Sequence, residues 1–130
     1  MSVFTEAELD YLRSERRLGR LATVGLDRMP HIAPVGWHLD PDADTILITG
    51  RDFAATKKFR DVAKTGRAAI VIDDVLPPWR PRGVEVRGRA IAINDAEPRI
   101  EIQPTRIVSW GLDGGNTARS VRTAPPQTHA

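Results

Sequence analysis

The segment GVEVRGRAIAI, residues 83–93, constrains the fold most strongly, because its side chains alternate along its whole length. Val84 and Val86 fall on one face with small residues, while Glu85 and Arg87 fall on the other. A period of two residues predicts a long β-strand with one face toward a core and one toward solvent. Such a strand needs neighbours on both sides, so the chain must build a sheet around it.

Five other segments predict the neighbouring strands, at residues 18–24, 30–39, 45–50, 67–74 and 99–110. The second contains Pro30 and Pro34, and proline within a strand indicates a sheet edge or an interrupted ladder. The turns at residues 25–28 and 40–44 are short enough for hairpins. Residues 75–83, VLPPWRPRG, predict a proline-rich loop.

Two helices are predicted. Thr5 followed by Glu8 forms a capping-box pattern, which predicts a helix from about Thr5 to Arg16. In residues 54–66 the apolar period changes to a helical one, with Phe59 and Val62 on one face and a glycine at the C-terminal end.

Together these elements predict a mainly β (α+β) fold of about six antiparallel strands, with an N-terminal helix and a short helix after the third strand. Hairpin-length connections favour a small antiparallel barrel over a doubly wound parallel sheet, which needs a helix after nearly every strand. We expect one domain over residues 1–113. The segment from Gly111 onward has no apolar period, so residues 114–130 are expected to be a tail, flexible or lying on a partner.

Composition excludes several classes of protein. The formal net charge of +2 is too small to indicate a nucleic-acid partner. The absence of cysteine excludes disulfides and thiolate metal sites and fits a reducing cytoplasm. No signal-peptide core or membrane-spanning run is found, so a cytoplasmic protein is expected. A chain of 130 residues also leaves much apolar surface exposed unless it pairs with a second copy.

Thr56, Lys57 and Lys58 begin the second predicted helix, with Arg51 nearby. Free backbone N–H groups and the helix dipole at that end attract anions, and they disfavour cations by a few tenths of a kcal/mol or more. A bound phosphate would offset that cost. A solvated lysine pair explains the same pattern, and spacing alone slightly favours this simpler reading.

The remaining chemistry-bearing residues predict no catalytic or metal site. Three histidines, His31, His38 and His129, are too scattered to form a metal-binding set, and no nucleophile stands beside a base. Trp37, Trp79 and Trp110 fit core packing as well as ligand stacking. Arginines in residues 80–89 are interrupted by a glutamate, which favours a solvated strand face over a nucleic-acid track. An enzyme without catalytic side chains usually takes its chemistry from a cofactor, and here a phosphate-bearing one is the economical inference.

The segments LGRLATVGLDRMPHIAPVGWHLD, ILITG, AATKKFRDVAKTGRAAIVIDD, RGVEVRGRA and IEIQPTRIVSWGLD resemble the pyridoxamine 5′-phosphate oxidase-like flavoprotein superfamily, in order, across roughly residues 4–113. The resemblance is strongest to small actinobacterial enzymes that use the deazaflavin coenzyme F420. It implies a split β-barrel, a homodimer, and a cofactor at each subunit seam. FMN in the same site is the alternative cofactor.

The resemblance also implies a set of cofactor-binding residues. The phosphate-binding segment corresponds to Thr56, Lys57 and Lys58, and the strand along the ring corresponds to residues 32–36. Trp79 and Arg80 of the proline-rich loop, together with Trp110, would close the pocket, from the same or the second subunit. The full set is Ile32, Ala33, Pro34, Val35, Gly36, Arg51, Thr56, Lys57, Lys58, Trp79, Arg80 and Trp110.

Two departures bear on the activity that the resemblance implies. True pyridoxamine phosphate oxidases open the ring-facing strand with an arginine where this chain has Ile32, and no substrate-phosphate segment follows Asp113. The expected activity is therefore hydride transfer between the deazaflavin and another small, unsaturated or planar molecule. An FMN-dependent oxidoreductase and a non-catalytic flavin- or deazaflavin-binding protein are the alternatives.

Overall fold

The computed structural model describes residues 2–113 and 119–124. Eight strands form one antiparallel sheet in the order β2-β1-β5-β6-β7-β4-β3, with β8 paired to β7. Two helices and a 3₁₀ turn complete the architecture. The elements are α1 (Glu6–Ser14), β1 (Gly19–Val24), β2 (Pro30–Val35), β3 (Trp37–Asp40), β4 (Thr45–Ile48), a 3₁₀ turn (Phe53–Ala55), α2 (Lys57–Thr65), β5 (Arg67–Leu76), β6 (Arg80–Ile93), β7 (Arg99–Trp110) and β8 (Arg119–Thr123).

The predicted mainly β, antiparallel fold is confirmed, and the sheet curls into a half-barrel around its core. Alternate residues of the central strands point inward and are fully buried, as the period of two requires. The core includes Ile46, Ile48, Ile70, Ile72, Val84, Val86, Ile100, Ile102 and Ile107. Helix α2 adds Phe59 and Val62 to this core.

Helix α1 begins as its capping pattern predicts, whereas α2 begins later than its apolar period suggests. The Thr5 side chain accepts from the Glu8 backbone N–H, and the Glu8 side chain accepts from the Thr5 N–H, which completes the capping box. Helix α2 is capped by Thr56 and ends at Gly66, whose φ of 68° lies in the left-handed region. Because residues 53–55 form the 3₁₀ turn, α2 begins at Lys57.

Three sequence predictions are wrong in detail. The predicted loop 75–83 is mostly strand, because β5 runs to Leu76, β6 starts at Arg80, and only residues 77–79 turn between them. The predicted strand 30–39 divides at Gly36 into β2 and β3, which lie at opposite ends of the sheet order. The described residues therefore form eight strands where about six were expected. The prediction that the proline-bearing segment lies at an edge is confirmed for β2, whose single neighbour is β1.

The third correction concerns the C-terminal segment. Residues 119–123 form β8 and pair with Arg106–Trp110 of β7, so the predicted flexible tail does not describe them. Strand β8 lacks an apolar period because the side chains at four of its five positions are exposed. Residues 114–118 and 125–130 lie outside the described residues. The division of the chain at residue 113 stays a prediction.

Arg122 of β8 forms hydrogen bonds with residues near the start of the chain. Its guanidinium pairs with the carboxylate of Glu8, which is 0% exposed, and donates to the backbone oxygen of Val3. Ser109 donates a further hydrogen bond to Glu8 at 2.6 Å. Burial acts to raise the pKa of Glu8, but the hydrogen bonds from Arg122, Ser109 and the Thr5 backbone outweigh it and lower the pKa.

Candidate cofactor site

The N-terminus of α2 offers two free backbone donors. Thr56 caps the helix, because its hydroxyl accepts from the Phe59 N–H at 3.3 Å and donates to the Phe53 carbonyl at 2.7 Å. The N–H groups of Lys57 and Lys58 donate to no other described residue. The Thr56 hydroxyl proton is thus already used within the protein, while two backbone N–H groups remain for an anion.

Lys57 is held by a buried carboxylate one turn along the same helix. Its Nζ lies 3.0 Å and 3.3 Å from the two carboxylate oxygens of Asp61, which is 5% exposed. This ion pair offsets the unfavourable position of Lys57 in the helix dipole, so a bound phosphate is not required to explain that lysine. The sequence argument for an anion site therefore now depends on the free N–H groups and on Lys58.

Asp61 also joins α2 to the sheet. It accepts a hydrogen bond from the Thr23 hydroxyl of β1 at 3.1 Å, and Thr23 is paired in register with His31 of β2. Burial acts to raise the pKa of Asp61, but hydrogen bonds from Lys57 and Thr23 and the charges of Lys57 and His31 lower it. A Cβ at Gly25 would lie 2.7 Å from Asp61 Oδ1, so the adjoining turn needs glycine. These contacts place Lys57 near the first half of β2.

Lys58 and Arg51 form no ion pair among the described residues. The Nζ of Lys58 lies 5.9 Å from the ring centroid of Phe53, which makes an edge-to-face contact with Phe59. Such a cation–π contact orients the ammonium without neutralising it. Arg51 is exposed just before the 3₁₀ turn. Lys58 therefore remains the cation at the helix start that is available to a ligand.

Strand β2 presents two kinds of surface to a ligand. Ile32, which is 67% exposed, and Pro34 point outward, whereas Ala33 and Val35 turn toward the inner side. Gly36 follows the strand, and a Cβ there would meet nothing within 4 Å. Because β2 has one neighbour, the backbone groups along its other edge face away from the sheet. A flat ring could lie along this edge without displacing a protein hydrogen bond.

Trp79 and Arg80 lie at the turn that joins β5 to β6, and Trp110 lies on β7, four strands from β2 in the sheet order. Ile32 and Ala69 of β5 pair with the same residue of β1, so they lie at the same height in the sheet. The turn that joins β5 to β6 begins after Leu76, seven residues further along β5. At about 3.3 Å per residue this separation is roughly 23 Å. Trp110 is paired with Gly83. Along the strand direction this position is closer to Ile32 than the turn is, but it still lies beyond the end of β2. Within one chain these three residues do not approach the start of α2.

Sequence reasoning missed two groups of residues near the site. Asp61 was not selected, although its position four residues after Lys57 on a helix favours an ion pair. Three arginines, Arg67, Arg87 and Arg89, border a groove of about 500 Å³ on the outer sheet face beside Pro30. Arg87 and Arg89 were read as a solvated strand face, and only the register of β5 against β6 shows what they border.

The described residues place further limits on the site. They contain no cluster of three or more potential metal ligands. None of the described helices has both the length and the apolar character that a membrane span requires.

Fold and site together define a split β-barrel protein in which a helix start with two unbonded N–H groups lies beside an edge strand. The sequence matches the pyridoxamine 5′-phosphate oxidase family over residues 5–122, and the chain belongs to that family. A relative that is 43% identical over 122 residues, covering 85% of each chain, is the 5a,11a-dehydrotetracycline/5a,11a-dehydrooxytetracycline reductase of Streptomyces rimosus subsp. rimosus.

Solved structures share the fold at low sequence identity. A conserved hypothetical protein of Mycobacterium tuberculosis superposes with a TM-score of 0.70 at 19% identity, covering 86% of this chain and 88% of that one. An FAD-binding protein of Mesorhizobium loti gives a TM-score of 0.62 at 16% identity, with 82% and 91% of the two chains covered. These similarities establish the split-barrel fold.

Proposed function

We propose that this protein is a coenzyme F420-dependent oxidoreductase that reduces a small unsaturated or planar molecule. The observation that carries the proposal is the 43% identity to a reductase over 85% of both chains. That relative is named for reduction of dehydrotetracyclines, so a planar, conjugated acceptor is the substrate class we expect here.

The start of α2 would hold the phosphate of the cofactor. Two free N–H groups, the ammonium of Lys58 and the Asp61-held ammonium of Lys57 supply directed donors and positive charge. The ring would lie along the free edge of β2, against Ile32 and Pro34. The bound deazaflavin supplies the hydride, while the protein orients ring and substrate and excludes water.

We further propose a homodimer with a cofactor at each subunit seam. A row of residues crosses the outer face in register, Pro34, Arg20, Val71, Glu85, Val108 and Val121, and four of these six are apolar. Of its apolar members Pro34 and Val121 are exposed, Val71 is half-buried and Val108 is buried, and the exposed ones are surface that a second subunit would cover. Since Trp79, Arg80 and Trp110 are remote from α2 within one chain, they would serve the site only from the second subunit. We also propose a cytoplasmic location.

A fluorescence titration with coenzyme F420 and, separately, with FMN tests the proposal. We expect tighter binding of F420 and at least a tenfold loss for Lys57→Ala with Lys58→Ala, since hydrogen bonds to charged groups contribute about 1.5–3 kcal/mol each. Lys64→Ala is the matched control, because Lys64 lies in the last turn of the same helix. Unchanged affinity in the double variant would remove the phosphate site.

Two alternatives keep the same site. An FMN-dependent oxidoreductase is favoured by the FAD-binding neighbour, and it predicts a yellow purified protein and the reverse order of affinities. A non-catalytic carrier of the cofactor predicts tight binding with no oxidation of the reduced cofactor by any acceptor. Steady oxidation by one planar acceptor would exclude the carrier.

A further inference from the structure

Two arginines face each other directly across β5 and β6. Arg67 and Arg89 are Cα partners in the antiparallel register, and both are exposed. Neither forms an ion pair within the described residues. Directly opposed like charges destabilise a sheet, so this arrangement has a cost that nothing described in the chain offsets.

The next pair repeats the pattern. Arg87 lies opposite Arg106 of β7. Arg87 pairs with Glu85 at 3.0 Å, whereas Arg106 pairs with no carboxylate in residues 2–113 and 119–124. The register shifts between Arg87 and Gly88, where a β-bulge leaves both Thr105 and Arg106 exposed. A Cβ at Gly88 would lie 2.0 Å from the Gln103 carbonyl oxygen, so the bulge depends on glycine. Bulges re-aim side chains, and this one leaves Arg106 as the β7 residue opposite Arg87.

Three of these arginines border an apolar groove. We call it the arginine groove and define it by Ala22, Val24, Pro30, Ala69, Arg67, Arg87 and Arg89. Its volume of about 500 Å³ is within the range of small-molecule sites. The side chains of Ala22 and Ala69 are small enough to leave a flat floor. No carboxylate lines the groove among the described residues.

We propose that the arginine groove binds the substrate of the proposed reductase, and that this substrate is a planar molecule carrying an acidic group. The acidic group would pair with Arg67 and Arg89, which offsets their mutual repulsion, while the planar body covers the alanine floor. Pro30 begins β2 at the edge of the groove, and Ile32 is the next outward residue of that strand. The substrate would therefore lie beside the proposed ring position. The substrate role depends on the proposed function, whereas the binding chemistry does not.

The binding test compares two fluorescent probes that differ by one charge. 1-Anilinonaphthalene-8-sulfonate carries a sulfonate, and N-phenyl-1-naphthylamine has the same aromatic body without it. We expect Arg67→Gln and Arg89→Gln each to weaken sulfonate binding about tenfold and to change binding of the neutral probe less than twofold. Arg16→Gln, an exposed arginine on another surface, is the control. Equal losses for both probes, or no loss, would overturn the proposal.

Thermal unfolding of the same variants distinguishes an unpaired arginine from one that already has a partner, because the two cases change the melting temperature in opposite directions. Removing one member of a repelling pair should leave the melting temperature unchanged or raise it. A fall of several degrees would show that Arg67 or Arg89 already has a partner, such as a second copy of the chain. Light scattering would then show dissociation of the dimer, and the arginines would belong to the subunit interface instead.

Titration of the variants with coenzyme F420 separates this inference from the proposed function. Unchanged cofactor affinity in Arg67→Gln, together with weakened sulfonate binding, supports a substrate site. A parallel loss of cofactor affinity would assign the groove to the acidic part of the cofactor and overturn the substrate role. If wild-type protein binds the sulfonate probe but no cofactor, the proposed function is wrong, while the arginine groove is still supported as an anion-binding site.

Discussion

The ammonium of Lys57 is 3.0 Å from a carboxylate oxygen of Asp61, and Asp61 is also hydrogen-bonded to Thr23 on the sheet. One buried carboxylate thus links the start of α2 to the strand next to β2. The two parts of the proposed cofactor site are held in register by this contact, so its removal should affect both stability and cofactor binding.

Asp61→Asn should destabilise the protein by about 1–3 kcal/mol, because it removes a buried ion pair while the half-exposed Lys57 regains water. Urea unfolding at pH 7 measures the loss. A double-mutant cycle with Lys57→Ala isolates the pair, and we expect the two changes to be less than additive. Full additivity would mean that the two side chains do not interact in solution.

Arg122→Gln should be more damaging, since it leaves the fully buried Glu8 without its cation. Breaking a buried pair in this way costs about 3–5 kcal/mol. Glu8→Gln combined with Arg122→Gln should recover part of that loss in chemical unfolding, because no buried charge remains. If the double variant is as unstable as the sum of the two single variants, packing rather than charge explains the effect.

Gly88→Ala should destabilise the sheet by about 2 kcal/mol or more, because the new Cβ would overlap the Gln103 carbonyl at the bulge. Gly36→Ala is the matched control, since a Cβ there meets nothing within 4 Å, and its thermal midpoint should stay close to that of wild type. Equal effects of the two substitutions would contradict the close approach of β6 and β7.

Acid unfolding should follow the carboxylates whose pKa the fold lowers. The hydrogen bond from Arg82 is the main cause that brings the pKa of Asp74 from 3.8 to about 2, and Tyr11 donates a second one. A lowered pKa means that the stabilisation is present at neutral pH and is lost as pH falls from about 4 toward 2. Asp74→Asn should therefore be less stable than wild type at pH 7 and similar to it near pH 2. A constant difference across that range would argue against the pair with Arg82.

Local patterns were sufficient for much of the fold. The capping box at Thr5 and the alternation in residues 83–93 gave correct elements because both signals depend on near neighbours. The hairpin at residues 75–83 was not predicted, because its prolines suggest a loop. In the structure, β5 and β6 stay paired on both sides of the short turn despite these prolines. Strand β8 was missed because its pairing to β7, not its own composition, makes it a strand.

The candidate site was only partly accessible to sequence reasoning. The start of α2 could be located from Thr56, Lys57 and Lys58, because a helix start and its anion preference follow from a few adjacent residues. The sequence could not predict that Arg67 and Arg89 lie opposite each other, because this depends on which residues of β5 and β6 are paired. The distance between Trp79 and α2 likewise follows from strand register rather than from spacing along the chain.

The link between Glu8 and Arg122 spans almost the whole chain. During synthesis, helix α1 emerges before β8, so the buried carboxylate of Glu8 lacks the guanidinium of Arg122 until β8 has left the ribosome. A chain cut short before β8 would have to expose Glu8 to water or hold an unpaired charge in its core. The pairing of Glu8 therefore waits for β8, and a chain without that strand should be less stable than one that has it.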